Sequence, residues 1–195
     1  MIRKTTPKLI HWNYFLGLEQ DLISISRYVE FDEDNFSTFS TELLKLLFSA
    51  SSEIDVVAKL LCHQINKESK ASNIGHYRAT IMKAYPEFSS IDVHLTRYGL
   101  TLTPWDNWAN KRKPKWWDAY NSVKHERNKY YSAANLKHSI NALGGLYIIL
   151  LYFYMNPARE GELYPSPELL SIGEPIITDQ LFYQPRTTAY IFPYW

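Results

Sequence analysis

The residues with the clearest capacity for chemistry lie in one stretch, Trp116 to Tyr131, which reads WWDAYNSVKHERNKYY. It sets two Asn, a His, an Arg and two Lys among aromatic rings. A histidine exchanges protons near neutral pH, and a carboxamide orients a hydroxyl or a phosphate oxygen. Asn121 and His125 stand at i and i+4, the spacing that brings two side chains together above one turn of a helix. With Lys124 and Lys129 alongside, the substrate of such a site is expected to be anionic. The same residues also suit a solvated helix face with local hydrogen bonds, and both readings stay open at this point.

On a helix of about 100° per residue, Asn128, His125, Asp118, Lys129 and Lys124 fall within roughly 80° of Asn121. Ala119, Tyr130, Val123, Trp116, Tyr120 and Tyr131 gather on the other side, so the stretch is amphipathic and most of its rings belong to the buried face. Trp117 lies among the polar groups. On a straight helix Arg127 points about 160° away from His125. That places it on the apolar side, where a guanidinium needs a partner from this chain or another.

Just upstream, Lys111, Arg112, Lys113 and Lys115 form a basic loop flanked by Trp105, Trp108, Trp116 and Trp117. Two readings apply: a surface that holds a nucleic-acid backbone by charge and stacks bases on rings, or tryptophans that plug the end of a helical bundle. From Asn107 to His138, eight basic residues face only Asp118 and Glu126, a balance of +6. The whole chain carries +1, so the remainder carries −5 and the positive charge is local.

These residues need a scaffold, and 195 residues suffice for one domain with a substantial core. Periodicity at three and four predicts helices over His11 to Val29, over Ser37 to Ile65 with Ser49, Ser51 and Ser52 marking a place for a kink, and over Asn73 to Tyr85, stopped by Pro86. Val93 to Pro104 alternates and reads as a short strand or extended loop. Pro114 sits at or just before the start of the next helix. That helix passes through a joint at Ser132 into another, whose second half is apolar on every side and hence central.

Six of the ten prolines fall in the last 39 residues, where PIITDQLFY and TTAYIF read as a hairpin or two extended segments. The expected fold is mainly α: an up-down bundle of about five helices with a small β insertion. Residues 1–156 form the bundle domain, and residues 157–195 an extended proline-rich tail packed on it.

Several classes are disfavoured. No glutamate has a histidine three residues later, as a di-iron bundle requires, and there is no HExxH, phosphate-cradling glycine loop or GxSxG elbow. His11, His63, His76, His94 and His138 lack ligand spacing, so neither a metal nor a cofactor is expected. The single Cys62 excludes an intramolecular disulfide. The N-terminus lacks signal-peptide character, and the run Ala142 to Met155 is shorter than the roughly 20 residues that span a bilayer, which predicts a cytoplasmic protein without membrane contact.

The Asn121 to His125 segment resembles the signature of HEPN domains, the helical bundles found in many prokaryotic toxin and antiviral RNases. Their motif is Arg, four to six residues, then His, often R-N-x-x-x-H. In one register, Tyr120-Asn121-Ser122-Val123-Lys124-His125 supplies Asn and His, with Tyr120 where the arginine belongs. In a second, Arg127-Asn128-Lys129-Tyr130-Tyr131-Ser132 supplies Arg and Asn, with Ser132 in place of His. The helix SSEIDVVAKLLCHQI is similar to the earlier bundle helix of such domains, and the resemblance covers about Thr41 to Tyr154 without the β insertion.

It implies a homodimer about a two-fold axis whose paired motifs cut RNA without metal. His125 then assists attack by a ribose 2′-hydroxyl, and an arginine, here Arg127, stabilises the phosphorane charge, with Asn121 beside them. RNA is the expected partner, held by Lys111, Arg112, Lys113, Lys115, Lys124 and Lys129. The alternative is a non-catalytic interaction module that keeps the bundle but not the reaction.

Overall fold

The structure, a computed structural model, describes residues 8–159 and 163–172. Five long helices carry it: α1 (Ile10–Ile25), α2 (Thr41–Ile65), α3 (Ile74–Ala84), α4 (Lys115–Tyr130) and α5 (Leu136–Phe153), followed by the one-turn α6 (Met155–Arg159). Strands β1 (Val93–Leu95) and β2 (Leu100–Leu102) lie between α3 and α4, and β3 (Ser171–Ile172) completes a small antiparallel sheet in the order β2-β1-β3. The mainly helical bundle with a β insertion is thus the observed architecture.

Most of the helix starts follow from short polar caps that take up otherwise unpaired amides. Ser40 accepts from the Leu43 N–H, Asn73 from those of Gly75 and His76, and Asn135 from that of His138. Pro114 precedes α4, where its missing N–H costs nothing. Helix α1 ends at Ile25 rather than Val29. The Ser24 and Ser26 hydroxyls there bond back to the Gln20 and Ile23 carbonyls and compete with the helical ladder. By contrast α2 runs through Ser49, Ser51 and Ser52 without a break, because its buried stripe Leu43, Leu47, Ala50, Ile54, Val57 and Leu61 is continuous.

Helices α2 and α5 form the most extensive pairing in the molecule. They run parallel: the Ser139 hydroxyl near the start of α5 donates to the Leu43 carbonyl near the start of α2, and the Leu136 N–H donates to the Thr38 carbonyl. Helix α1 runs opposite to α5, with Phe15 stacked on Tyr147 and His11 edge-on to Phe153. Helix α4 runs opposite to α2, with Tyr120 against Phe48 and Tyr131 bonded to Thr41. Helix α5 is long and apolar enough to cross a membrane by length and composition, yet it is the core of this bundle, with Ala142 to Tyr152 buried throughout.

Two adjacent glycines let the insertion close on α5. A Cβ on Gly144 would stand 3.2 Å from the Pro104 ring, and one on Gly145 would stand 3.3 Å from the Trp116 ring. In that space the Trp105 indole N–H reaches the Gly145 carbonyl and the Trp116 indole N–H reaches the Pro104 carbonyl. Gly99, at φ 65°, makes the left-handed turn into β2.

The segment 163–172 lies over the bundle with Leu163, Leu169, Leu170 and Ile172 buried. Its anchor is Glu19, 1% exposed on α1, whose carboxylate accepts the backbone N–H groups of Glu168, Leu169 and Leu170. The Trp12 indole adds a bond to the Pro165 carbonyl. Ile172 pairs with Val93, so this segment supplies the third strand of the sheet. The hairpin expected from PIITDQLFY and TTAYIF lies outside the described residues.

Candidate functional site

Helix α4 leaves helical geometry at one residue, Glu126, with φ −137° and ψ 55°. The cause is visible on either side. Before it, Trp116, Tyr120 and Val123 are locked into the core. After it, Tyr131 must reach the first turn of α2, where its hydroxyl bonds Thr41 and its ring meets Phe39 edge-on. A straight α4 is therefore the expectation that fails. His125 and Arg127 instead line one concavity of about 500 Å³, together with Phe48, Val123, Lys124 and Asn128. The Arg127 guanidinium is exposed and has no carboxylate within ion-pair distance among the described residues, so it is neither buried nor paired as the straight helix would require.

Asn121 does not join them. Its amide is half-buried and donates to the Trp117 carbonyl one turn back, 2.8 Å away, a local bond that outcompetes an outward pose beside His125. It is absent from the residues that line the concavity. Asn128 takes the carboxamide position there instead. Phe48 was not singled out beforehand, because only the packing of α4 against α2 shows which α2 residue floors the site.

A second concavity of about 470 Å³ adjoins the first and shares Arg127 and Asn128, with Thr41, Leu44 and Tyr131 as its other walls. The two make one groove between the first half of α2 and the last half of α4. Phe39, 47% exposed, stands at its end against Tyr131. Lys124 lies over the Tyr120 ring at 5.4 Å. Lys129 lies over the Tyr130 ring at 4.8 Å and pairs loosely with Glu126 at 3.9 Å, an exposed contact that leaves it available to a ligand.

The basic loop is exposed at Lys111, Arg112 and Lys113, with Lys111 in left-handed geometry at φ 57°. The Arg112 N–H donates to the Asn107 carbonyl, which closes the loop before Pro114. Its tryptophans do not offer stacking faces: Trp105, Trp108, Trp116 and Trp117 are all buried, in a ring cluster with Phe88 and Tyr152. They pack as core against the middle of α5 at Gly145, not at an end of the bundle.

Lys115 belongs elsewhere. It lines a separate concavity of about 280 Å³ with Lys137, His138, Asn141, Asn107 and Trp116.

Among the described residues, no group of three or more His, Cys, Asp or Glu side chains is arranged to hold a metal ion. Three other histidines are bonded to side chains of this chain, His11 on α1 to Glu53 on α2, His76 to Asn73 and His94 to Thr101. Compared with protein-family models, with curated proteins and with solved structures, the chain finds no match, so its reading rests on its own geometry.

Proposed function

We propose that the α2–α4 groove is an RNA-binding surface of HEPN-like type with metal-independent cleavage at His125 and Arg127. The observation that carries this is the break at Glu126, which turns Arg127 into the concavity that His125 lines. The two residues supply complementary chemistry. The imidazole takes the 2′-hydroxyl proton as oxygen attacks phosphorus and returns a proton to the leaving 5′-oxygen. The guanidinium offers paired N–H donors to the phosphorane oxygens, whose charge grows in the transition state. Lys124 and Asn128 line the same walls and Lys129 is exposed one residue on, while Lys111, Arg112 and Lys113, exposed before the start of α4, would hold phosphates further along the RNA.

The test is an RNase assay on the purified protein in EDTA, with structured and unstructured RNA, beside His125→Ala. Cleavage by the wild type that His125→Ala loses supports the reading. Absence of cleavage by the wild type, or cleavage that His125→Ala retains, overturns it.

A second reading is favoured by the apolar part of the same groove, Leu44, Tyr131 and the exposed Phe39. In it the chain is a non-catalytic interaction module, and the groove seats a second copy of it. Sedimentation of the wild type against Phe39→Glu tests the interface, since only a dimer through this face is broken by a charge there, and a dimer that cuts no RNA in the assay above supports the module.

A further inference from the structure

The concavity around Lys115 and Lys137 has a different composition from the groove. Two cations reach it from two helices, Lys115 at the start of α4 and Lys137 in the first turn of α5, and neither has a carboxylate within ion-pair distance among the described residues. His138 lines it from the next position on α5. Its Nδ1 lies 2.8 Å from the Ala133 carbonyl, which can only accept, so Nδ1 carries the proton and the neutral ring presents Nε2 as an acceptor. Burial, with Lys137 and Lys115 nearby, pushes the imidazole below its usual range and keeps it neutral. Asn141 gives one N–H to the Lys137 carbonyl, and its Oδ1 is a second acceptor. The apolar wall is Phe36, Leu100, Leu102 and Pro104.

Two carboxylates, Glu33 and Asp106, also line the space, and Asp106 accepts the Asn107 backbone N–H. Inorganic phosphate would engage the cations and leave these carboxylates and the other acceptors without donors. A ligand with one phosphoryl group and several hydroxyls instead matches both halves: cations for the phosphate, and a set of acceptors for the hydroxyl protons. A volume of about 280 Å³ suits a small ligand of this kind.

We propose that this concavity binds a phosphate monoester bearing hydroxyl groups, a sugar phosphate or the sugar-phosphate part of a mononucleotide. Lys115 and Lys137 hold the phosphate, and His138 Nε2 and Asn141 Oδ1 accept from the hydroxyls. The site shares no residue with the His125–Arg127 concavity. Its failure is thus distinguishable from failure of the RNA reading.

The experiment is titration calorimetry of the full chain with ribose 5-phosphate, AMP, adenosine and inorganic phosphate, together with the ring ¹⁵N spectrum of His138. Saturable binding of AMP and ribose 5-phosphate is expected, weaker by at least about tenfold for adenosine and for inorganic phosphate, with a ligand-dependent shift of the His138 Nε2 signal. Binding of AMP alone assigns the mononucleotide, and equal binding of both assigns the sugar phosphate. Lys137→Glu, an exposed position whose fold is checked by circular dichroism, is expected to weaken binding by about tenfold or more, while Lys67→Glu, exposed and in neither concavity, leaves it unchanged. No saturable binding of either phosphate monoester, or binding that Lys137→Glu leaves intact, overturns the proposal.

Discussion

His125 and Arg127 line one concavity although a single residue separates them, because the chain abandons helical geometry at Glu126 between them. The pairing predicts how Arg127 responds to conservative change. Arg127→Lys keeps the charge but loses the planar fork that bonds two phosphoryl oxygens at once. Single-turnover cleavage is expected to fall by about 10²- to 10³-fold in Arg127→Ala, by less in Arg127→Lys, with RNA affinity changed far less than the rate. The double variant His125→Ala with Arg127→Ala is expected to be no slower than the worse single one, since residues acting in one step are not additive. Equal losses in affinity and rate would instead make Arg127 a binding residue.

The exposed cations of the loop act at longer range. If Lys111, Arg112 and Lys113 each neutralise a phosphate of single-stranded RNA, replacing all three with Ala lowers the magnitude of the slope of log K against log salt by about 2, at roughly 0.7 per contact. Fluorescence anisotropy over a salt series reads this directly, and an unchanged slope removes the loop from the interface. Because the neighbouring tryptophans are buried, no accompanying loss of base stacking is expected from Trp105 or Trp108.

The amphipathic face of α4 was legible in the sequence because Trp116, Tyr120 and Val123 follow the helical repeat, and the structure buries all three. The stretch Ala142 to Tyr152 was legible as central because it is apolar all round. The break at Glu126 was not. Nothing in K-H-E-R-N-K disfavours a helix, and the departure comes from the distant anchors of Tyr131 on Thr41 and of Leu136 on Thr38. Asn121 was assigned outward from its spacing alone, which is blind to the Trp117 carbonyl one turn back. The role of Glu19 was equally hidden, since its three partners stand about 150 positions further along the chain.

That carboxylate makes a separate prediction. Glu19→Ala leaves the N–H groups of Glu168, Leu169 and Leu170 buried or half-buried without their acceptor, at a cost of about 3 kcal/mol. Urea denaturation is expected to show this loss, and limited proteolysis is expected to cut within residues 163–172 well before the bundle is digested. Glu19→Gln, which keeps one acceptor oxygen, should fall between the two. A wild-type proteolysis pattern in Glu19→Ala would mean that the buried Leu163, Leu169, Leu170 and Ile172 hold the segment without the carboxylate.

Three buried protons set the behaviour at alkaline pH. Burial pushes the Cys62 thiol up to about 11, opposed by a bond to Thr80. Burial also raises Tyr77 and Tyr152, and the carboxylates of Asp55 and Glu87, to which their hydroxyls donate, raise them further. In the unfolded chain a thiol ionises near pH 8.5 and a phenol near 10, roughly, so as pH rises the unfolded state loses these protons first. The unfolded state then binds fewer protons than the folded one, and stability falls with rising pH. The contribution of all three groups is complete below about pH 8 and is lost progressively above it, first at Cys62 and then at the two tyrosines. Urea midpoints measured from pH 7 to 11 are expected to decline with this onset, and Cys62→Ala is expected to flatten the first part of the decline whatever its effect on absolute stability. In the same protein at pH 8, Ellman's reagent should leave Cys62 unmodified until urea unfolds the chain. Prompt modification of the folded protein would show that α2 and α3 open locally around the thiol, and the alkaline decline would then begin from that opening rather than from global unfolding.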